Sequence, residues 1–417
     1  MVAILYIKIG PEVQLPLKAP IAGTNLFYRV IVRRGVDLEV PPATRQFVEG
    51  VRSFCRALAP RVSEMERLGK TPRDVLLACG KAGLTGMEVP REYGGLGAGP
   101  LAYALAIEEV SRVSASLGAV LSVHNSVGAL PIAMFGTDAQ KRELLPKIAS
   151  GEYLAGFAVT EAGAGSDVSS VTTTAVKKGN EWALDGVKLF ISNGEGEVIN
   201  VLAATAREKG ASGQTMFIVR KGDRGFRVGG VERKMGIHAD ETCELVFEDC
   251  RIPQDRVLGK ENEGFKLAMQ ALDIGRIGIA AQCVGAAAGA LDSAMASVRS
   301  SAGLARSQST HFALAECATE IDAARLLVWR TADRKERGQP ATVAASMAKL
   351  YASAVANRTA IRILETLGAG ALPAGNPFER LFRDSKVFEI YEGTSEIHKL
   401  IISRRLMGSW SFEKGLD

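Results

Sequence analysis

The chain has 417 residues, 47% of them hydrophobic, and a formal charge of +5 that is spread without any lysine or arginine tract. Its length exceeds one ordinary domain, so two or three are expected, and the apolar content is ample for substantial cores. Dispersed charge with little basic-aromatic interleaving argues against nucleic acid as a partner, whereas a mild basic bias suits an anionic ligand such as a nucleotide.

Six cysteines, at 55, 79, 243, 250, 283 and 317, form no Cys-x-x-Cys pair and have no nearby histidines. They predict reduced, mostly buried thiols of an intracellular protein and neither a disulfide framework nor a zinc site. The four histidines (124, 238, 311, 398) are isolated, so no metal site is expected. No apolar run is read as long enough to span a bilayer. The opening MVAILYIKIG has too short an apolar region for an export signal, which predicts a cytoplasmic protein, or a mitochondrial-matrix one in a eukaryote.

In chain order, residues 1–40 mix short β-like runs with Pro and Gly and are taken as an extension of unknown role. Residues 41–153 read as an α-helical domain. Phe47, Val51, Phe54 and Leu58 fall on one stripe ended by Pro60. Thr71 as cap, Pro72 in the first turn and Gly83 at the close bound a second helix, and Thr137 to Gln140 is a capping box. GGLGAG (Gly94 to Gly99) is a loop, with no strand before it to make a dinucleotide fingerprint.

The period then switches. Residues 154–264 hold β-branched and aromatic runs at 154–160, 171–177, 182–192, 198–205, 216–219 and 244–247, with Gly179-Asn180 as a hairpin turn. Short connections predict an antiparallel sheet, as a small barrel or sandwich. Residues 265–417 return to long helices. Leu314, Ala318, Ile321 and Val328 form one apolar stripe, and Val343, Met347, Leu350, Ala354 and Ile361 another, which fits a four-helix-bundle-like domain. The whole is an α+β multidomain chain, ordered α, β, α.

Four stretches carry chemistry. In FEIYEGTSEIHKLII (388–402), Glu392 precedes a glycine and a Thr394-Ser395 pair able to start a helix. A carboxylate at a helix mouth can be aimed at a substrate, and desolvation raises its pKa towards that of a proton acceptor; the bland alternative is a solvated loop acid with Ser395 merely a cap. AVTEAGAGSD (158–167) follows a strand and puts three small residues before Ser166, so backbone N–H groups and a hydroxyl can meet a ring edge or a phosphate, or the segment is an ordinary Gly-rich turn. KLFISN (188–193) ends a strand. DIGR (273–276) starts the first helix of the last domain, where Asp273 and Arg276 could also be an i,i+3 surface pair.

Together AVTEAGAGSD and IYEGTSEI resemble the acyl-CoA dehydrogenase family, from about residue 41 to the C-terminus, and most closely its short-chain, butyryl-type members. The resemblance implies FAD as cofactor, held by Phe157, Ala158, Val159, Thr160, Ser166, Phe190, Ile191, Ser192, Thr394, Ser395 and Glu396, with the Ser192 hydroxyl on flavin N5. Acyl-CoA would meet Ser166, Asp273, Ile274, Gly275, Arg276 and Gly393. Some relatives carry their catalytic glutamate at the position of Gly275, so here the role falls to Glu392, which would take the α-proton while flavin N5 takes the β-hydride, giving a trans-2-enoyl-CoA in fatty-acid β-oxidation. The substrate would be a short or branched acyl-CoA, the electron acceptor an electron-transferring flavoprotein, and the assembly a homotetramer or dimer.

Three departures stand against the family pattern. Residues 295–310 (MASVRSSAGLARSQST) lack the Phe-Gly that reaches the neighbouring subunit's FAD, Glu365 to Ala369 replaces Gln-x-x-Gly-Gly, and His238 replaces an arginine. They motivate the alternative of a flavin-poor, catalytically idle relative that binds acyl-CoA or a protein. An oxidase with the same fold is the third possibility.

Overall fold

The computed structural model describes residues 40–407, so all but the last residue of the proposed 1–40 extension lies outside the described residues. The chain starts with α1 (Pro42–Leu58), α2 (Val62–Leu68), α3 (Arg73–Lys81), α4 (Gly99–Val113), α5 (Ala115–Val123), α6 (Leu130–Phe135) and α7 (Asp138–Ala149). Pro42 sits at the first position of α1, where its missing N–H costs nothing. Val51 and Leu58 are buried along it, with Phe47 and Phe54 half-buried, as the stripe predicted. The capping box at α7 forms: Thr137 Oγ1 accepts from the Gln140 N–H, and Gln140 Oε1 accepts from the Thr137 N–H at 2.9 Å. Thr71 does not cap α3. Pro72 is the cap residue, and the Thr71 hydroxyl donates instead to the Ala239 carbonyl, tying this region to the sheet domain.

Between α5 and α6 lies a π-helical turn, His124–Ala129, which periodicity did not reveal. Its buried side chains hold neighbouring elements: Asn125 bonds Leu84, Met87 and Leu121, and His124 Nδ1 accepts from the Ala155 N–H. A turn widened in this way frees polar groups to stitch a site together.

Among the described residues the sheet has eight strands: β1 (Ala155–Ala158), β2 (Thr174–Lys178), β3 (Glu181–Ser192), β4 (Val198–Ala204), β5 (Gln214–Arg220), β6 (Phe226–Val231), β7 (Thr242–Pro253) and β8 (Val257–Leu258). Their order is β6-β7-β3-β2-β4-β5-β8, with β1 on β4. The sheet is open and mixed. Pairs such as β2–β3, β3–β7 and β4–β5 are antiparallel, and Gly179 (φ +65°) closes the expected hairpin, but β1 and β2 both meet β4 in parallel. The parallel pairing arises because the 159–173 connection crosses over and brings the chain back into β2 in the direction of β1, after which the β2–β3 hairpin returns it to β4 in that same direction. β6 and β8 gave no sequence signal, one being an exposed, glycine-interrupted edge and the other two residues long. One sheet face packs Leu202, Met216 and Ile218 against Ile132, Leu144 and Leu267 of the helices, and the other buries Trp182 edge-on to Phe217.

The last region comprises α8 (Gly264–Ser300), α9 (Ala302–Arg306), α10 (Gln308–Glu336), α11 (Thr342–Leu367), α12 (Pro377–Ser385) and α13 (Ser395–Met407). DIGR therefore lies inside α8 and does not start it, because the helical run begins at Gly264. The α10 stripe holds in its second half, where Ile321 and Val328 are buried. The α11 stripe is on the wrong face. Val343, Met347, Leu350 and Ala354 are half-buried and Ile361 is exposed, while Ala345, Ala348, Lys349, Ala352, Ala356 and Ala360 are buried. Small side chains let α11 lie close against α8, which outweighs the apolar bulk of the opposite face.

Ala115–Phe135 and Gly264–Ser300 are long and apolar enough to cross a membrane, contrary to expectation, yet 83% and 94% of their most apolar windows are buried inside the protein. They are core helices. All six cysteines are buried and unpaired.

A buried ion pair pins the sheet near its open end. Lys188 Nζ lies 2.7 Å from Glu161 Oε1 and 3.0 Å from the Val159 carbonyl. Burial alone would push the Glu161 carboxyl up, but Lys188 and the Thr172 and Thr173 hydroxyls outweigh it and hold it at about 2. Burial brings Lys188 down to about 8, so both stay charged at neutral pH. Lys188→Met leaves Glu161 as an unpaired buried charge and is expected to destabilise the fold by about 3 kcal/mol. Denaturant unfolding checks this, and a loss below about 1 kcal/mol would show the pair to be dispensable.

Candidate active site

The motif around Glu392 is held open by its backbone. A short turn, Lys386–Glu389, leads into Ile390 and Tyr391, after which Glu392 takes φ +53° and Gly393 φ +101°. A left-handed conformation suits glycine but is uncommon for glutamate, and such strain persists only where surroundings enforce it. Thr394 then caps α13, its Oγ1 accepting from the Ile397 N–H at 3.3 Å, and Ser395 is the first helical residue.

The consequence is a carboxylate turned onto α8. A Cβ added to Gly275 would lie 2.6 Å from Glu392 Oε2 and 3.0 Å from Oε1, so only glycine fits beneath the acid. Oε2 is cut off from solvent and has no hydrogen-bond partner. Burial pushes the Glu392 carboxyl up to about 7, against the pull of Arg276 and Lys349. This is the protonation range of a general base at neutral pH.

Arg276, nearly buried, donates to Asp273 Oδ1 at 2.8 Å, and Asp273 Oδ2 accepts from Thr342 Oγ1 at 2.6 Å. The i,i+3 pair exists, but as an internal brace and not at the surface. Ile274 is buried in the core. One turn along α8, a Cβ on Gly278 would strike the Tyr103 hydroxyl at 2.0 Å and Ser122 Oγ at 2.3 Å, and those two groups are hydrogen-bonded to each other at 3.0 Å. Tyr391 bonds through its hydroxyl to Gln282.

Sequence reasoning missed Lys349, Tyr103, Ser122 and Asp240. The signal available for Lys349 is a lone lysine amid alanines, on the face of α11 opposite its large apolar residues.

The sheet supplies the other wall. Phe157 and Thr160 are half-buried, Ala158 and Val159 are buried, and Ser166 is exposed. Cβ atoms on Gly163 or Gly165 would meet nothing within 4 Å, so this segment faces open space. Phe190 (φ +58°) sits where the β3–β7 register shifts, and the irregularity turns its ring outward to 62% exposure. Ile191 points into the core, leaving its backbone for any ligand. Ser192 Oγ donates to Asp240 Oδ2 at 2.8 Å, while Asp240 Oδ1 is buried without a partner. Burial raises Asp240 to about 6, with Lys234 opposing. Burial raises the Tyr391 hydroxyl well above the usual range, and both Asp240 and Glu392 add to this electrostatically. Glu396 stands exposed on α13.

An exposed aromatic ring, an open glycine segment and a buried serine-carboxylate pair with an orphaned oxygen fit a flat heteroaromatic ligand with polar edges. The departures from the family pattern lie elsewhere: Arg299, Arg306 and Glu365 are exposed near helix ends, and His238 sits between the Glu66 carboxylate and the Lys234 carbonyl.

The chain belongs to the acyl-CoA dehydrogenase family: models of its N-terminal, middle and C-terminal domains match residues 41–152, 156–250 and 262–407. It is 44% identical to the acyl-CoA dehydrogenase of Bacillus subtilis over 86% of this chain and 96% of that protein. It is 39% identical to the mitochondrial short-chain specific acyl-CoA dehydrogenase of Mus musculus, over 90% and 92%. The butyryl-CoA dehydrogenase of Megasphaera elsdenii superimposes with a TM-score of 0.87 at 37% identity, covering 89% of this chain and all of that one. The family is FAD-dependent, and its members are oxidoreductases acting on acyl-CoA in fatty-acid β-oxidation.

Gly275→Ala is expected to push the Glu392 carboxylate off its seat while leaving the thermal midpoint within a few degrees. Misplacement of a base by about 1 Å lowers turnover about 100-fold. Steady-state assays with butyryl-CoA read the effect; full activity in the alanine variant would show that the contact is not needed.

Proposed function

We propose that this chain dehydrogenates a short acyl-CoA at its α,β-bond, with Glu392 as the base that takes the α-proton. The observation carrying this is Glu392 Oε2, desolvated, without a partner, and seated on Gly275 with a pKa near 7. Phe157 to Thr160, Ser166, Phe190 to Ser192 and Thr394 to Glu396 would hold FAD. FAD, when bound, supplies the acceptor for the β-hydride.

The protein's own part is placement. Arg276, locked to Asp273, and the Gly393 peptide would line the thioester's path. Buried walls exclude water, so the charge that develops on the thioester carbonyl meets fixed N–H groups instead of mobile solvent.

Chain length follows from the floor. Tyr103 and Ser122 close the space beside Gly278, one turn beyond the base, which supports butyryl-sized substrates, as do the named activities of the mouse and Megasphaera relatives. Tyr103→Ala is expected to raise the octanoyl-to-butyryl ratio of kcat/KM at least about 10-fold. An unchanged ratio would place the floor elsewhere.

For electron removal we propose an electron-transferring flavoprotein, and for assembly a homotetramer or dimer. The exposed Phe312, Ile361, Leu372 and Phe382 support self-association. A bacterial cytoplasm or a mitochondrial matrix is the proposed location.

Two measurements test the base. Glu392→Gln should bind acyl-CoA normally yet leave the flavin unbleached, and retained bleaching would remove Glu392 from the mechanism. In wild-type enzyme kcat/KM should rise with pH through about 7, because only the deprotonated carboxylate accepts a proton. Stability runs the other way. A carboxyl whose folded pKa exceeds its unfolded 4.5 loses stability as pH rises through about 7. The glutamine variant should therefore melt higher than wild type at pH 8, with the difference vanishing near pH 4.

A further inference from the structure

A lysine with no part in the chemistry above lies against the catalytic turn. Lys349, on α11, is fully buried, and its Nζ donates to the Gly393 carbonyl at 2.6 Å. Gly393 and Glu392 are the two successive residues with positive φ, at +101° and +53°. A hydrogen bond at this carbonyl fixes the peptide that follows the left-handed pair. The rotation releasing the strain would carry the carbonyl away from an ammonium that has no water to replace it.

The electrostatics point the same way. Among the described residues, the titratable groups facing this turn are Arg276, Tyr103, Cys283, Lys349, Glu389, Tyr391 and His398, and burial keeps the Cys283 thiol protonated. Arg276 is committed to Asp273. Tyr103 and Tyr391 are held neutral by burial. His398 is buried with both ring nitrogens unpartnered, and a Cβ on Gly393 would stand 3.1 Å from its Nε2. Burial first, then Lys349 and Arg276, push His398 down to about 3, so it too is neutral. Lys349, lowered to about 8 chiefly by burial, keeps its charge at pH 7, and Glu392 and Glu389 are the carboxylates that act on it.

We propose that Lys349 is a positioning residue for the dehydrogenation. Its ammonium straps the Gly393 carbonyl, so that Glu392 stays in the left-handed conformation aimed at Gly275, and its charge favours the anionic, proton-accepting form of the acid. The proposal rests on Glu392 being the base.

The test compares Lys349→Met and Lys349→Arg in the FAD-loaded enzyme, following anaerobic flavin bleaching by butyryl-CoA across pH, alongside thermal midpoint and flavin content. In the methionine variant the limiting rate should fall at least about 10-fold, with acyl-CoA binding little changed. The acid limb should move up by about 1 pH unit, the effect of losing an opposite charge that acts on the carboxylate. Arginine, which keeps the charge, should hold the limb at its wild-type position.

A purely structural lysine would lower the midpoint without moving the limb. An unmoved limb, a methionine rate within about 3-fold of wild type, or failure of both variants to fold with flavin would each overturn the proposal. The two ideas fail separately. Bleaching by Glu392→Gln sinks the base itself, whereas an inert Glu392→Gln with a silent Lys349→Met sinks only the strap.

Discussion

A carboxylate resting on a bare Cα organises this molecule. Glu392 comes from the turn before α13 and Gly275 from the middle of α8, and the acid's Oε2 lies where a side chain at 275 would begin. That contact demands a glycine inside a long buried helix, which weakens the helix intrinsically, and a glutamate in a left-handed conformation. The surrounding packing must enforce both. α8 is buried along most of its length between α4 and α11, so its conformation does not depend on propensity at one position.

Desolvation gives this contact its chemical value. An acid at a helix mouth in water would titrate near its ordinary 4.5 and be a poor acceptor for a carbon-bound proton. Removal from solvent, only partly offset by Arg276 and Lys349, brings Glu392 to about 7. On the proposed role of Glu392, the fold gives up stability at neutral pH to keep a proton-accepting acid, a common compromise where activity and stability compete. Across the site, the Ser192–Asp240 pair repeats the theme of a buried polar pair beside an open face.

Much of this was legible in the chain. The α, β, α order emerged because hydrophobic period reports directly on secondary structure, and the two motifs marked the two walls of the proposed site. The capping box at Thr137 and the hairpin at Gly179 were equally local, each decided by residues within a few positions. Where reading failed, distant residues had decided. Thr71 looked like a cap, but its hydroxyl serves Ala239, 168 positions away. The large apolar residues of α11 looked like core, but close packing against α8 selected the alanine face, and the apolar runs of α5–α6 and α8 are core helices.

The sequence alone determined which elements form, the presence of an acid before Gly393, and the absence of an acid at 275, since each depends on residue type and near neighbours. Only the tertiary structure decided that these two positions touch, that Lys349 reaches the Gly393 carbonyl from another helix, and that Tyr103 and Ser122 pack against Gly278. Such contacts join segments 44 to 175 residues apart, and the desolvation that tunes Glu392 exists only once those segments are packed together.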